Sequence, residues 1–376
     1  MSQRLKILSI VGARPNLPKI APLMHEMQRH PEIDAILVHT GQHYDEKLSD
    51  IFFRQMGIPS PHVNLEVGSG SHASQTAEIL KRIEPVLIER KPDLVLVVGD
   101  VNSTIAVSLA AAKLGIRVAH VEAGLRSFDR TMPEEINRIL TDALADYLFV
   151  TEEDAIANLL KEGRPRESIY MVGNVMIDSL RHFLPIAQQS GIGDELGLKN
   201  GAGWQRFGVL TLHRPSNVDS TEKLNQLLVA IDAVAAEMPI IFPVHPRTQQ
   251  HLTQGGNKHH PQLRLIPPVG YLDFLCLLSK AKLVLTDSGG IQEETTALCV
   301  PCLTLRENTE RPITISQGTN LLVGADPGKI VAAARGTLAG QGKAGRIPPL
   351  WDGHAAERIV EILLKEVPGD MHRSCQ

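Results

Sequence analysis

The segment Thr286-Asp287-Ser288-Gly289-Gly290-Ile291-Gln292-Glu293-Glu294 carries the strongest chemical signal in the chain. The apolar run Leu283-Val284-Leu285 ends there, Ser-Gly-Gly turns the backbone, and a helical pattern begins. Glycine lets the main chain approach a ligand closely, and the free N–H groups of a helix start attract anions. Ser288, Gly289 and Gly290 therefore suit a phosphate. Glu294, one helical turn further in, would oppose a phosphate but can accept hydrogen bonds from a ribose diol. The stretch reads as a nucleoside-diphosphate site, with the sugar chemistry carried elsewhere.

Other polar residues follow strand-like runs. Arg14 and Lys19 offer two cations after residues 6–11, either to a phosphate or to solvent at a turn. Asp100 follows residues 94–98, as a reacting carboxylate or as a helper of the Asn102-Ser103 helix cap. Glu122, in His120-Val121-Glu122-Ala123-Gly124, puts an ionisable group where the pattern is otherwise apolar. Glu134 opens a helix holding Asn137 and Arg138, where acidic residues also complement the helix dipole. Asp100, Glu122 and Glu134 converging in one cleft would supply a base on one face of a substrate and an acid on the other.

In the second half, His213-Arg214 and His245-Pro246-Arg247 each follow a strand and suit a diphosphate, which arginine grips bidentately. Phe274 lies on an apolar helix face and either packs in the core or stacks on a base. Thr309-Glu310-Arg311-Pro312 is another polar loop after a strand. No HExxH pair, Walker A loop or nucleophile elbow occurs, nor a GxGxxG placed between a strand-like run and a helix. Their absence disfavours metal hydrolysis, NTP hydrolysis, nicotinamide chemistry and serine hydrolysis.

The elements that must position these residues alternate between short apolar runs and helical spacing. Strands are expected at 6–11, 35–39, 94–98, 117–121 and 147–150, with helices at 74–90 (bent at Pro85) and 103–114. A second series is expected at 208–211, 240–244, 263–266, 283–286 and 302–305. Such alternation implies an α/β protein with parallel sheets and helices on both faces. The polar stretch 190–205 separates the series and reads as a boundary or linker. Two Rossmann-like domains facing a cleft follow, with ligands at the carboxyl ends of the strands.

Length and composition agree. A chain of 376 residues, 21% charged and 43% apolar, suits two soluble domains. A net charge of −4 argues against a broad nucleic-acid surface. Among four cysteines, Cys299 and Cys302 form a lone C-x-x-C in an apolar segment and read as structural thiols. Neither a signal peptide nor a membrane-spanning run is visible, so a cytoplasmic location is expected.

The order of motifs resembles that of the non-hydrolysing UDP-N-acetylglucosamine 2-epimerase family. It runs through Gly12-Ala13-Arg14-Pro15, Gly41-Gln42-His43, Gly99-Asp100, His120 to Arg126, Pro133-Glu134-Glu135 and Asn137-Arg138. Gly173-Asn174, His213-Arg214, Pro243-Val244-His245, Thr286 to Glu294 and Thr309 to Pro312 continue it over nearly the whole chain. The resemblance implies a glycosyltransferase-B-like fold, with domains at 1–175 and 176–366 and a flexible tail at 367–376. The last helix of the second domain is a candidate for packing back on the first.

By resemblance, Asp100, Glu122, Glu134 and His213 are catalytic. Arg14, His245, Ser288, Gly289, Gly290 and Glu294 contact the nucleotide, and Lys19, Arg138, Arg214, Phe274, Arg306 and Arg311 lie near the ligand. The implied reaction interconverts UDP-N-acetylglucosamine and UDP-N-acetylmannosamine by anti elimination of UDP and its re-addition, for surface polysaccharide synthesis. It implies a homodimer and no metal or nicotinamide cofactor, with no nucleic-acid or membrane partner. Tyr44 replaces a basic residue found in regulated relatives, which puts an allosteric UDP-sugar site in doubt. Met132 replaces a frequent tryptophan, a difference that bears on the sugar accepted. Alternatives are epimerisation of a 3-acetamido or uronic acid UDP-sugar, a UDP-sugar glycosyltransferase, a hydrolysing relative, and a non-catalytic sensor.

Overall fold

The computed structural model describes residues 4–42, 55–244 and 259–367, with Phe53 and Leu252, but not the side chains of Arg14, Pro215 and Ser216. His43, Tyr44, His245, Arg247, Cys375 and the tail beyond Val367 lie outside the described residues.

The chain forms two compact units, one of residues 1–179 and 349–376 and one of residues 180–348. In the first, β1 (Leu5–Val11), β2 (Ile33–His39), β3 (Val63–Asn64), β4 (Leu94–Val98), β5 (Arg117–Val121), β6 (Tyr147–Val150) and β7 (Ile169–Met171) build a sheet. Its order among the described residues is β3-β2-β1-β4-β5-β6-β7, and every pairing is parallel. Continuous apolar strands such as Leu94–Val98, all five residues buried, are what a sheet covered on both faces requires. Leu8, Ile10, Val95 and Val97 share one core with Ile79, Ile83 and Val107 from the helices His72–Arg90 and Asn102–Lys113. The first of these helices runs unbroken through Pro85. Chain order reverses between β1 and β4, and the loops leaving these two strands diverge there, as at ligand sites of open α/β sheets.

The second unit repeats the plan. Beside a small hairpin, β8 (Lys199–Asn200) and β9 (Gly203–Trp204), it contains β10 (Gly208–Thr211), β11 (Ile240–Pro243), β12 (Leu263–Ile266), β13 (Leu283–Thr286), β14 (Cys302–Thr304) and β15 (Asn320–Leu322). The last six form a parallel sheet in the order β12-β11-β10-β13-β14-β15, with the reversal between β10 and β13. Leu210, Phe242, Leu285 and Leu303 pack with Leu227, Ile231 and Ile330. The fold class is therefore α/β with two Rossmann-like units. The short strands β3, β7 and β15 had no expectation in sequence, because two or three residues carry no period.

Two boundaries differ from expectation. Residues 190–205 are not a linker but part of the second unit. Gly193 leaves room for the Trp204 ring, which would stand 2.4 Å from a Cβ placed there, and Trp204 lies against Phe207. The division falls at 179/180 rather than 175/176, within the helix Val175–Ala187. The last helix, Ala355–Glu366, belongs to the first unit, where it packs on the helix Leu17–Arg29 and buries Ile359, Val360 and Leu363. Asp178 accepts the N–H groups of Ala355 (3.2 Å) and Ala356 (2.7 Å) at its start. Cys302 is buried, and burial pushes its thiol up to about 12, whereas Cys299 is exposed at a left-handed turn. No helix among the described residues is long and apolar enough to cross a membrane.

Candidate functional site

In the first unit, the polar residues stand where β1, β4 and β5 end. Asn16 fixes the loop after β1, accepting from the Ala13 N–H (3.2 Å) and donating to the Val98 carbonyl at the end of β4 (3.1 Å). Lys19 is thereby carried inward on the first turn of its helix, where Pro18 is tolerated because the missing N–H has no partner to lose. Its ammonium pairs with Glu122 Oε2 at 2.5 Å, both side chains buried. Gly99 makes this possible: φ is +68°, and a Cβ there would come within 3.1 Å of Lys19 Nζ.

Glu122 itself sits at φ +72°, a left-handed conformation unusual for a residue with a side chain. Its N–H and that of Ala123 share the Phe149 carbonyl of β6. A buried charge cluster holds the loop. His120 donates to Asp142 Oδ1 (2.6 Å) and places its other ring nitrogen on the Gly99 carbonyl (2.9 Å). Asp142 also accepts from the Gly124 N–H (3.0 Å) and pairs with Arg126 (2.7 Å). Burial works to raise the Asp142 carboxyl, and the charges and hydrogen bonds of His120 and Arg126 outweigh it, holding it below the usual range.

Asp100 pairs with Arg138, and its carbonyl accepts from Asn137 Nδ2 (2.9 Å). The carboxylate remains a quarter exposed, at 25% of its side-chain surface, which leaves it reachable by a ligand. Arg138 is buried and also pairs with Glu135 (2.7 Å). Glu135 in turn accepts the N–H groups of Ser127 (3.0 Å) and Phe128 (2.9 Å). Burial opposes ionisation of Glu135, but these bonds and the Arg138 charge prevail and keep its carboxyl low. Arg138 is thus oriented by Glu135 and orients Asp100. Glu134, on the other side of the helix start, is half-buried and has no side-chain partner among the described residues. Asn102 does not cap its helix; Val101 occupies that place, and the Asn102 amide ties Gln75 (2.8 Å) to Asn137 (3.3 Å).

In the second unit the polar residues gather at the ends of β10, β13 and β14. Ser288 precedes the helix Gly289–Ala297, which no side chain caps, so the N–H groups of its first turn are available to an anion. Asp287 is fully buried and accepts from His213 Nδ1 (2.8 Å), the His213 N–H (3.1 Å), the Arg214 N–H (3.0 Å) and Asn217 Nδ2 (3.1 Å). Burial works to raise the Asp287 carboxyl, yet the His213 bond and charge, with the Arg214 N–H and Asn217, hold it below the usual range. His213 is itself exposed and fixed through Nδ1, so Nε2 is the ring nitrogen left to meet a ligand.

Arg214 (3.3 Å) and Arg306 (2.7 Å) pair with Glu310, whose carboxylate lies 2.6 Å from where a Cβ on Gly289 would stand. Arg306 Nη1 is buried with no hydrogen-bond partner among the described residues. Arg311 is buried and pairs with Glu293 (2.6 Å). Glu294 accepts from the Tyr271 hydroxyl (3.1 Å), and burial pushes its carboxyl up to about 7. Phe274 is half-buried on the same helix as Tyr271.

Lys19, Asp100, Glu122 and Arg138 are therefore brought together in the first unit, with Glu134 on the adjoining helix start. Arg214, Ser288, Gly289, Gly290 and Arg306 gather in the second, with His213 and Glu294 flanking them. The description of Arg14 ends at its backbone, and His245 lies outside the described residues. Sequence reasoning missed Glu135, Asp142, Asp287, Tyr271 and Glu310 as positioning groups. Asp287 left a signal, an acidic residue directly before Ser288; the others are distinguished only by their partners.

Two parallel Rossmann-like sheets, one with cation-paired carboxylates at its strand ends and the other with an uncapped helix start, have the architecture of the glycosyltransferase-B-like fold. The UDP-N-acetylglucosamine 2-epimerase family model matches residues 25–364. A UDP-N-acetylglucosamine 2-epimerase homolog of Methanococcus maripaludis is 48% identical over 333 residues, 87% of this chain and 91% of the relative. A UDP-2,3-diacetamido-2,3-dideoxy-D-glucuronate 2-epimerase of Pseudomonas aeruginosa is 42% identical over 368 residues, 96% of this chain and all of the relative. The crystal structure of Methanocaldococcus jannaschii UDP-GlcNAc 2-epimerase with UDP-GlcNAc and UDP has a TM-score of 0.88 at 43% identity. That match covers 96% of this chain and 99% of the other. The chain belongs to the UDP-N-acetylglucosamine 2-epimerase family, and it is an isomerase.

Proposed function

We propose that the protein interconverts UDP-N-acetylglucosamine and UDP-N-acetylmannosamine without releasing free sugar. The observation that carries this reading is the pair of cation-bound carboxylates, Lys19–Glu122 and Arg138–Asp100, at adjacent strand ends. The C2 proton of the sugar is weakly acidic, so its removal must accompany departure of the anomeric diphosphate. A carboxylate takes the proton from C2, the C1–O bond breaks with its electron pair leaving on UDP, and a 2-acetamidoglucal remains. The second half returns UDP to C1 while another acid protonates C2 on the opposite face. Asp100, Glu122 and Glu134 divide the acid and base duties.

His213, aimed through Asp287, assists the leaving diphosphate through Nε2. Arg214, Arg306 and the N–H groups of Gly289 and Gly290 stabilise its growing charge. The proposed reaction asks both groups of residues to act on one UDP-sugar, with Arg14 and His245 on the diphosphate, Glu294 on the ribose and Phe274 on the base. Lys19 and Arg138 serve it by holding the carboxylates, and Arg311 by holding Glu293 beside Glu294.

The test is proton NMR of UDP-N-acetylglucosamine with pure protein in heavy water. UDP-N-acetylmannosamine with deuterium at C2 is the expected product, and Glu122→Gln is expected to abolish exchange without unfolding. Free sugar plus UDP would replace this reading with hydrolysis. A second reading, epimerisation of a diacetamido uronic acid UDP-sugar, is favoured by the Pseudomonas relative at 42% identity. Turnover of that substrate alone would establish it.

A further inference from the structure

Tyr271 occupies a position that none of the motifs explains. It is 8% exposed, and its hydroxyl donates to Glu294 Oε1 at 3.1 Å. Glu294 is 4% exposed, and among the described residues Tyr271 is the only side chain that hydrogen-bonds it. The charge of Glu293, of the same sign, also acts on Glu294. A buried carboxylate without a donor is costly, so the Tyr271 hydroxyl is the group that makes an ionised Glu294 tolerable.

Geometry adds to this. Tyr271 is the first residue of the helix Tyr271–Lys280, and Phe183 meets its ring edge-on, with centroids 6.0 Å apart and planes at 89°. The ring is therefore locked, and with it the direction of the hydroxyl. One bond to Oε1 fixes the carboxylate plane and leaves Oε2 and a further lone pair for two incoming hydroxyl donors. Adjacent hydroxyls of a ribose present such a pair. Phe274 lies three residues on, on the same helix face, so one turn of helix would serve both ribose and base.

We propose that Tyr271 is a positioning residue for nucleoside recognition: it holds the Glu294 carboxylate in the orientation that accepts a ribose 2′,3′-diol. The proposal rests on the UDP-sugar reading above. Tyr271 acts only through Glu294, and selectivity for ribose over deoxyribose nucleotides depends on the pair.

The experiment is calorimetric titration of UDP and of 2′,3′-dideoxy-UDP into the wild type, Tyr271→Phe, Glu294→Gln and the double variant. Tyr271→Phe keeps the ring and its Phe183 contact and removes one hydroxyl. Its UDP affinity is expected to fall about tenfold, the scale of one charge-assisted hydrogen bond, with no change for dideoxy-UDP. The double variant is expected to match Glu294→Gln, and in turnover the loss is expected in KM and not in kcat. Equal losses for UDP and dideoxy-UDP would mean that Tyr271 only packs the helix, and would overturn the proposal. Unchanged UDP affinity would overturn it too. Failure of the wild type to bind UDP at all would instead remove the UDP-sugar reading, and the proposal with it.

Discussion

Asp287 is buried beneath His213 and accepts from both its ring and its backbone. Asp287→Asn would offer the His213 ring an amide, which can donate where an acceptor is needed and so turns or re-tautomerises the imidazole. Its kcat is expected to fall by at least about a hundredfold, with UDP binding retained. Steady-state kinetics would check this, and an unchanged kcat would remove the pair from the chemistry. Glu294 leads to a pH prediction. Burial raises its carboxyl to about 7, the Glu293 charge adds to the rise, and the Tyr271 bond opposes it. Below that pH the unliganded protein holds a proton that the ribose diol must displace, so UDP affinity is expected to weaken as pH falls through 7. Glu294→Gln, with nothing to titrate, supplies the baseline for the phosphate's own ionisation. Parallel slopes in the two proteins would contradict the assignment.

The elements explain why these residues are where they are. Within each unit the polar cluster is assembled from strand ends on either side of a reversal in sheet order, β1 with β4 and β5, β10 with β13 and β14. Loops leaving such strands turn to opposite faces and leave a gap that side chains can line. Gly99 opens the loop leaving β4, at φ +68° and within 3.1 Å of Lys19 Nζ for any added Cβ. Gly99→Ala is expected to cost about 1 kcal/mol for the left-handed backbone alone. It would also push Lys19 away from Glu122, so turnover should drop more than stability. Denaturant midpoints and C2 exchange rates measured side by side would test this. Lost stability with full exchange would mean that the Lys19–Glu122 contact is dispensable.

At the scale of the whole molecule, the chain passes from the first unit to the second and back. The last helix returns to the first unit and is held at its start by Asp178. Burial pushes the Asp178 carboxyl up to about 6 from 3.8, against the pull of the Ala356 and Ala355 N–H groups. A carboxyl raised on folding contributes stability that is complete below the unfolded value and lost as pH rises through the folded one. Stability is thus expected to fall between 3.8 and about 6 on this account. Asp178→Asn should flatten that part of the profile in urea melts, and an identical slope would show that other groups govern it.

Sequence alone determined the two series of parallel strands, because strands buried on both faces must be continuously apolar. It also marked the candidate site positions, because polar residues directly after such strands sit at the edge where open sheets bind ligands. The uncapped helix start at Gly289 and the carboxylates Asp100 and Glu122 were legible for that reason. Tertiary structure alone decided the charge partners: Lys19 with Glu122 across 103 residues, His213 with Asp287 across 74, and Asp178 with the last helix. It also decided that 190–205 belong to the second unit. Periodicity is local and survives in one dimension. The energy of a buried ion pair depends on a distance of a few ångströms, which only the packed chain defines.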